Sequence, residues 1–148
     1  MRLDQEFTVV APADRVWAFL LNVPQMATCI PGASDVRQID DQTYDATVKT
    51  KIGPIAASFG CKITIVELNE SAHTGVVEVN GKDAKIGGGV KARLTMTLLE
   101  EGTATTVRFG SEVDVLGKIG QYGHGMISKR STAMLDDFTH CLRAQLGS

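Results

Sequence analysis

Histidine and cysteine side chains, the usual nucleophiles, bases and soft metal ligands, are few in this sequence and poorly placed to act together. The histidines are His73, His124 and His140, and none has another histidine four residues away. His140 and Cys141 are neighbours on a predicted helix, so their side chains point about 100° apart and cannot form a nucleophile–base pair with each other. We therefore predict no catalytic residue, no metal site and no cofactor.

The cysteines Cys29, Cys61 and Cys141 are odd in number and far apart, with no Cys-x-x-Cys motif. This pattern argues against a zinc ribbon or a disulfide scaffold, and we predict three small buried thiols in a reducing cytoplasm. Residues 1–7 carry acids and no apolar run, unlike a signal peptide. No stretch approaches the ~20 apolar residues that span a bilayer. We expect a cytoplasmic protein.

The composition indicates one ordinary globular domain over residues 1–148, with 43% hydrophobic and 22% charged residues. Fifteen basic and seventeen acidic residues give a net charge of −2. Proteins that bind duplex nucleic acid normally show a basic excess, because counterion release drives their affinity. We therefore predict no nucleic-acid partner.

The hydrophobic period predicts the order of the elements. Residues 3–9 alternate as a strand, and Pro12 and Pro24 each begin a short helix. Six further runs of period two are separated by short polar turns, which indicates consecutive antiparallel strands. These runs are Ala33–Ile39, Thr43–Ile52, Ile55–Leu68, Thr74–Gly81, Lys85–Leu99 and Thr103–Leu116. From Lys118 to the end the period returns to 3.6, which predicts one long helix.

These elements predict an α+β fold in which a curled seven-stranded antiparallel sheet wraps around the long C-terminal helix. Many predicted inward positions are small, and aromatic residues make up only 5% of the chain. The small positions are Ala46, Ala57, Cys61, Gly75, Gly88 and Ala92. Such positions leave room for an apolar cavity, although tight packing by Leu, Ile and Met is an equal alternative.

Two groups of glycines need an explanation. Gly117, Gly120, Gly123 and Gly125 open the long helix with the wrong spacing for a dinucleotide fingerprint, and no parallel strand follows. Close helix–sheet packing and a loose first turn that opens as a portal explain them equally well. The run of residues 87–89 lies inside a predicted strand, which indicates a bulge or bend.

Several short motifs, in order, resemble the CoxG-like family, whose members are associated with carbon monoxide dehydrogenase. This family is part of the START-like, or SRPBCC, superfamily, whose fold is the helix grip. The motifs are Val10-Ala11-Pro12 before Val16-Trp17, then Cys29-Ile30-Pro31-Gly32, then Tyr44, Ala46 and Val48 before Gly53-Pro54, then Gly102-Thr103, and last residues 117–123. The resemblance covers nearly the whole chain. Gly125 departs from the family pattern, which commonly has arginine there.

The resemblance implies a non-catalytic accessory subunit of a carbon monoxide dehydrogenase-type molybdenum hydroxylase whose cavity binds an apolar molecule, a quinone or a lipid. Many members carry a C-terminal extension thought to attach them to membrane, whereas this sequence stops at Ser148. At most peripheral contact with the inner face of the membrane is therefore implied. The alternatives are a cyclase or hydrolase that uses the same cavity, and an interaction module for maturation or recruitment of the partner enzyme.

We predict a cavity lined from the inward face of the strands and from the long helix. The predicted lining is Tyr44, Ala46, Val48, Cys61, Ile63, Val90, Ala92, Val107, Phe109, Tyr122, Met126 and Arg130. The two tyrosines could donate hydrogen bonds to a ligand carbonyl, or be plain core residues. Arg130 interrupts the apolar stripe of the helix, either with its head in water or facing the cavity to hold a polar ligand head.

Overall fold

A computed structural model describes residues 1–83, 85, 87–117, 120–121 and 123–146, and at residues 123 and 124 the backbone alone. Its elements follow the predicted order. They are β1 (Arg2–Val9), α1 (Ala13–Leu21), α2 (Val23–Ala27), β2 (Ala33–Asp40), β3 (Thr43–Ile52), β4 (Ile55–Asn69), β5 (Thr74–Asp83), β6 (Gly88–Glu101), β7 (Ala104–Gly117) and α3 (Gly123–Leu146).

The seven strands form one antiparallel sheet in the order β1-β7-β6-β5-β4-β3-β2. Five of the six pairings join consecutive strands, as short polar turns dictate. The remaining pairing brings the first strand beside the last, with Phe7 opposite Val107. The two short helices carry the chain from β1 at one edge to β2 at the other. The predicted fold class is confirmed.

The main core joins α3 to the β1 side of the sheet. Phe7 packs against Phe109 and Phe138, with ring centroids 5.9 Å and 6.1 Å apart. Val107 of β7 and Leu142 of α3 are fully buried in the same cluster. The C-terminal half of α3 is therefore fixed by apolar burial, the largest favourable contribution to folding.

Helix α1 belongs to the same core and is tied to the strands by polar contacts at its start. Pro12 has φ −63° and makes no side-chain cap. The Ala13 amide instead donates to Glu100 Oε1 at 3.2 Å. The buried Thr105 hydroxyl donates to the Ala11 carbonyl at 2.7 Å. Strand β6 thus satisfies an amide that the helix end leaves unpaired, and β7 holds the segment just before the helix.

A second, smaller core lies toward the other edge of the sheet. It consists of Ile52, Ala57 and Phe59, with Ile127 of α3 packed against them. Arg130 Nε donates to Thr50 Oγ1 at 2.7 Å beside it. The N-terminal half of α3 is therefore held on β3 and β4.

The glycine run at residues 87–89 is not the bulge that the sequence suggests. Gly87 lies in the turn before β6 at φ +62°, a left-handed conformation that glycine adopts without strain, and β6 begins at Gly88 rather than Lys85. The register shift in this part of the sheet falls instead in β4, between Ile65 and Glu67. The long helix begins at Gly123, and Lys118, Ile119 and Tyr122 lie outside the described residues.

The prediction of three free thiols is wrong for two of them. Cys29 and Cys141 form a disulfide, with Cα atoms 5.4 Å apart, and only Cys61 is free. The turn after α2 packs beneath the last turns of α3, and a separation of 112 residues gave no sign of that proximity. The cytoplasmic location therefore loses the support that free cysteines lent it.

The disulfide makes the first testable prediction. Dithiothreitol, or the substitution Cys29→Ser, should lower the free energy of unfolding by about 2–4 kcal/mol, because a long covalent loop restricts the unfolded chain. Urea unfolding followed by circular dichroism measures the change. Cys61→Ser is the matched control and should respond to dithiothreitol as the parent does. Three titratable thiols in protein purified without reductant would contradict the pairing.

Candidate functional site

Between the two cores, the inward face of the sheet forms an apolar wall that is only partly covered. The pairing register places Ile63 of β4 opposite Tyr44 and Val79, and Val79 opposite Ala92. Although these strands lie in the middle of the sheet, most of the inward side chains are half-buried. The half-buried members of this wall are Val48, Cys61, Ile63, Ile65, Val77, Val79, Val90, Ala92 and Leu94.

The path of α3 explains why the wall is open. Among the described residues, the helix backbone lies alongside β1 and β3 more extensively than alongside the other strands, and four strands lie between those two in the sheet order. A helix that rests on two separated strands of a curled sheet bridges over the strands between them. We call the resulting space, bounded by α3 and the half-buried wall, the concave groove.

Seven of the predicted lining residues share the inward face near the groove. Tyr44 and Ala46 are buried there, and Val48, Cys61, Ile63, Val90 and Ala92 are half-buried. The register brings Ala46 opposite Cys61, which in turn lies opposite Gly81. Small residues on three neighbouring strands thus form a low point in the wall.

The remaining lining residues are placed differently. Val107 is fully buried in the main core, whereas Phe109 packs against the same core and is half-buried. Met126 is 43% exposed. Tyr122 lies outside the described residues. The sequence pattern gave the face of each residue correctly for the strands, but could not tell filled positions from open ones.

Arg130 lies at the β3 end of the groove. Its half-buried side chain reaches an inward hydroxyl, that of Thr50, and no described carboxylate lies within 4 Å of it. The arginine therefore lies over the inward face of β3, and its head has no charge partner among the described side chains. This placement favours the cavity-facing interpretation over a head extended into water.

Cys61 is not an activated nucleophile. Burial raises the pKa of its thiol, so the neutral form dominates near pH 7, and only a thiolate attacks efficiently. Its sulfur is 3.8 Å from the Phe59 carbonyl. Cys61 therefore presents a small, polarizable and neutral side chain on the inward face.

His73 is in a turn, as predicted, but it is not a freely solvated side chain. Its ring lies 5.4 Å from that of Trp17, and its Nε2 is 3.1 Å from Asp14 Oδ1. Its backbone is left-handed at φ 52°, and its carbonyl accepts from the Leu98 amide. His73 therefore ties the β4–β5 turn to α1, and the sequence held no signal for this contact.

Two further findings concern metal binding and membrane insertion. Among the described residues, no group of three histidine, cysteine, aspartate or glutamate side chains could hold a metal ion. Within the same residues, no helix is long and apolar enough to cross a membrane.

The glycines before and within the start of α3 have different surroundings. A Cβ on Gly120 would lie 2.9 Å from the Val115 carbonyl oxygen, closer than real side chains approach, whereas one on Gly125 would meet nothing within 4 Å. Close packing therefore accounts for Gly120, which precedes the helix, but not for Gly125. Gly123 has only its backbone described.

Comparison with protein families decides the affiliation. The model of the CoxG family, which is described as a subunit of carbon monoxide dehydrogenase, matches residues 6–147. The chain belongs to the CoxG family. Among curated proteins, none matches this sequence significantly.

Solved structures show the same fold at low sequence identity. A conserved protein from Geobacillus kaustophilus superposes with a TM-score of 0.90 at 18% identity, covering 99% of this chain and 95% of its own. A START superfamily protein from Mycobacterium smegmatis gives 0.66 at 14%, covering 99% and 97%. Norcoclaurine synthase from Thalictrum flavum gives 0.63 at 15%, covering 96% and 86%. The START-like helix-grip fold of this CoxG member is thereby confirmed.

The contrast between Gly120 and Gly125 makes the second prediction. Gly120→Ala should lower the free energy of unfolding by roughly 1–3 kcal/mol, because the added methyl collides with backbone. Gly125→Ala should raise it by up to about 1 kcal/mol, because alanine favours the helix and has space. The urea unfolding midpoint of each variant, compared with that of the parent, gives the sign of its change in stability. A stabilised Gly120→Ala variant would contradict the packing explanation.

Proposed function

We propose that this CoxG protein binds an apolar small molecule, a quinone or a lipid, in the concave groove and does not transform it. The observation that carries the proposal is the half-buried apolar wall of β4–β6 beneath a helix anchored on β1 and β3. Leaving such a wall in contact with water costs about 25 cal/mol for each Å² of apolar surface. An apolar ligand would cover it.

Arg130 would orient the proposed ligand within the groove. Its guanidinium is hydrogen-bonded to Thr50 through Nε alone among the described contacts, so its terminal nitrogens can meet a further acceptor. A quinone carbonyl or a lipid head group at the β3 end of the groove would fill that role. The apolar part of the ligand then lies along Ile63, Val79 and Ala92.

The described residues offer more support to a binder than to an enzyme. A catalytic cavity needs converging polar groups with shifted pKa values, whereas the polar groups described around the groove are the Cys61 thiol, the Tyr44 hydroxyl and the Arg130–Thr50 pair. Norcoclaurine synthase is a catalyst with the same fold, so the fold itself leaves both activities open.

We propose further that the protein serves as an accessory to a molybdenum hydroxylase of the carbon monoxide dehydrogenase type. The family description, a subunit of carbon monoxide dehydrogenase, supports this role. An accessory that holds a quinone would accept or deliver it beside the partner enzyme. Copurification of the two proteins from a source that expresses both tests the association.

The ligand proposal makes the third prediction. Ala92→Phe should weaken binding of a short-chain ubiquinone or of palmitate at least tenfold, because the ring would fill the space beside Val79 that the apolar part of the ligand is proposed to occupy. Isothermal titration calorimetry measures the affinity, and circular dichroism checks that the variant is folded.

Thr95→Phe is the matched control, since Thr95 lies on the same strand but on the outward, exposed face. It should leave affinity unchanged. In the same titrations, Arg130→Gln should weaken binding severalfold, with Lys129→Gln as its exposed neighbour control. No heat of binding from either probe, or equal loss in Ala92→Phe and Thr95→Phe, would contradict the groove as the site.

A further inference from the structure

The outward face of the sheet carries two unlike halves. On the β1 and β7 half, the arginines are paired: Arg2 lies 3.0 Å from Asp4 and from Glu112, and Arg108 lies 3.0 Å from Glu6. On the β3–β6 half, Arg93 is likewise paired with Glu78, but five exposed lysines also project outward. They are Lys49, Lys51, Lys62, Lys82 and Lys91, and we call them the lysine face.

These lysines have no ion pair among the described residues. No described carboxylate lies within 4 Å of any of the five amines. The pKa of Asp40 is lowered mainly by hydrogen bonds from Gln42 and Thr43, and the charge of Lys62 contributes least. The protein as a whole has a net charge of −2. The β3–β6 half of this face therefore carries a local excess of positive charge.

A depression lies at the centre of the lysine face. Its volume is about 720 Å³, and its lining includes Thr47, Gly60, Lys62, Asn80 and Lys82. Gly60 forms the floor, because a Cβ there would find only the Lys82 carbonyl, 4.0 Å away. The register places Lys82 directly across from Gly60 and Lys62 directly across from Asn80. A projecting anionic group would fit between the two lysines.

We propose that the lysine face docks an acidic surface of a partner protein, with one carboxylate of that partner entering the depression over Gly60. The five lysines span four strands, about 14 Å at the usual strand spacing, which is wider than a single small anion needs. Complementary charge of this extent steers association and selects the partner.

Two other anionic partners fit the surface less well. The lysine face has no aromatic side chain on which a nucleic-acid base could stack. The outward residues next to these lysines on each strand include no exposed large aliphatic side chain that could enter a bilayer. Asp35 and Asp45 also line the depression, where Asp45 lies 3.8 Å from Arg37, so the carboxylate of a partner would enter on the side of Lys62 and Lys82. A protein surface carries positive as well as negative groups and therefore tolerates these two aspartates.

The test uses the whole chain and a hexaglutamate peptide as the acidic probe. Nuclear magnetic resonance titration should shift the amide signals of Thr47, Gly60 and Asn80, and the affinity should fall at least fivefold between 50 and 300 mM salt. The double variant Lys62→Glu/Lys82→Glu should weaken binding at least tenfold. Arg15→Glu/Lys129→Glu, which makes the same charge change at exposed positions elsewhere, should weaken it less than threefold.

Phosphatidylserine vesicles and a single-stranded thymidine 20-mer are the competing probes. Peptide binding that maps to the lysine face and responds only to the first double variant supports the proposal. Equal losses in the two double variants, signal shifts elsewhere, or lysine-dependent binding to vesicles or oligonucleotide without peptide binding would overturn it. If the glutamate variant fails to fold, Lys62→Gln/Lys82→Gln replaces it, with at least a threefold loss expected.

Discussion

The structure depends on one constraint: a single helix is anchored on two strands that are far apart in the sheet order. The anchor near β1 is a large aromatic and aliphatic core, in which Leu142 is fully buried. The anchor near β3 is small and combines Ile127 with the Arg130–Thr50 hydrogen bond. Because the helix rests at both places, the sheet beneath it curves away and its middle strands remain half-covered.

The two faces of the sheet have different properties. The inward face alternates between filled positions at the anchors and open apolar positions between them, which suits a small apolar ligand. On the outward face, arginines are paired with acids, whereas the five lysines of the lysine face have no ion pair among the described residues. Under the proposed function, the inward face would hold the small molecule and the outward face would meet the partner protein, and a sheet supplies two unlike faces through its period of two.

The sequence predicted the fold well because its local signals agree. Alternation in β3–β7, polar turns and the 3.6 period of α3 all specify the same antiparallel sheet and helix. It also placed Ala46, Cys61, Ile63 and Ala92 on one face. Whether a face position is filled depends on where α3 crosses the sheet, and no local pattern encodes that.

Other features were beyond sequence reasoning for the same reason. The Cys29–Cys141 disulfide and the His73 contact with Trp17 join segments distant in the chain. Gly87 belonged to a turn, yet its neighbours Gly88 and Gly89 begin β6, so a run of three glycines concealed the boundary. Each case is set by tertiary packing rather than by local propensity.

The central claim, that the concave groove holds an apolar molecule, is tested most directly by native mass spectrometry of freshly purified protein. We expect an ion heavier than the 15.8 kDa chain by the mass of a quinone or lipid, with the excess lost on denaturation and recovered by organic extraction. The bare chain mass under native conditions, together with an empty extract, would contradict it.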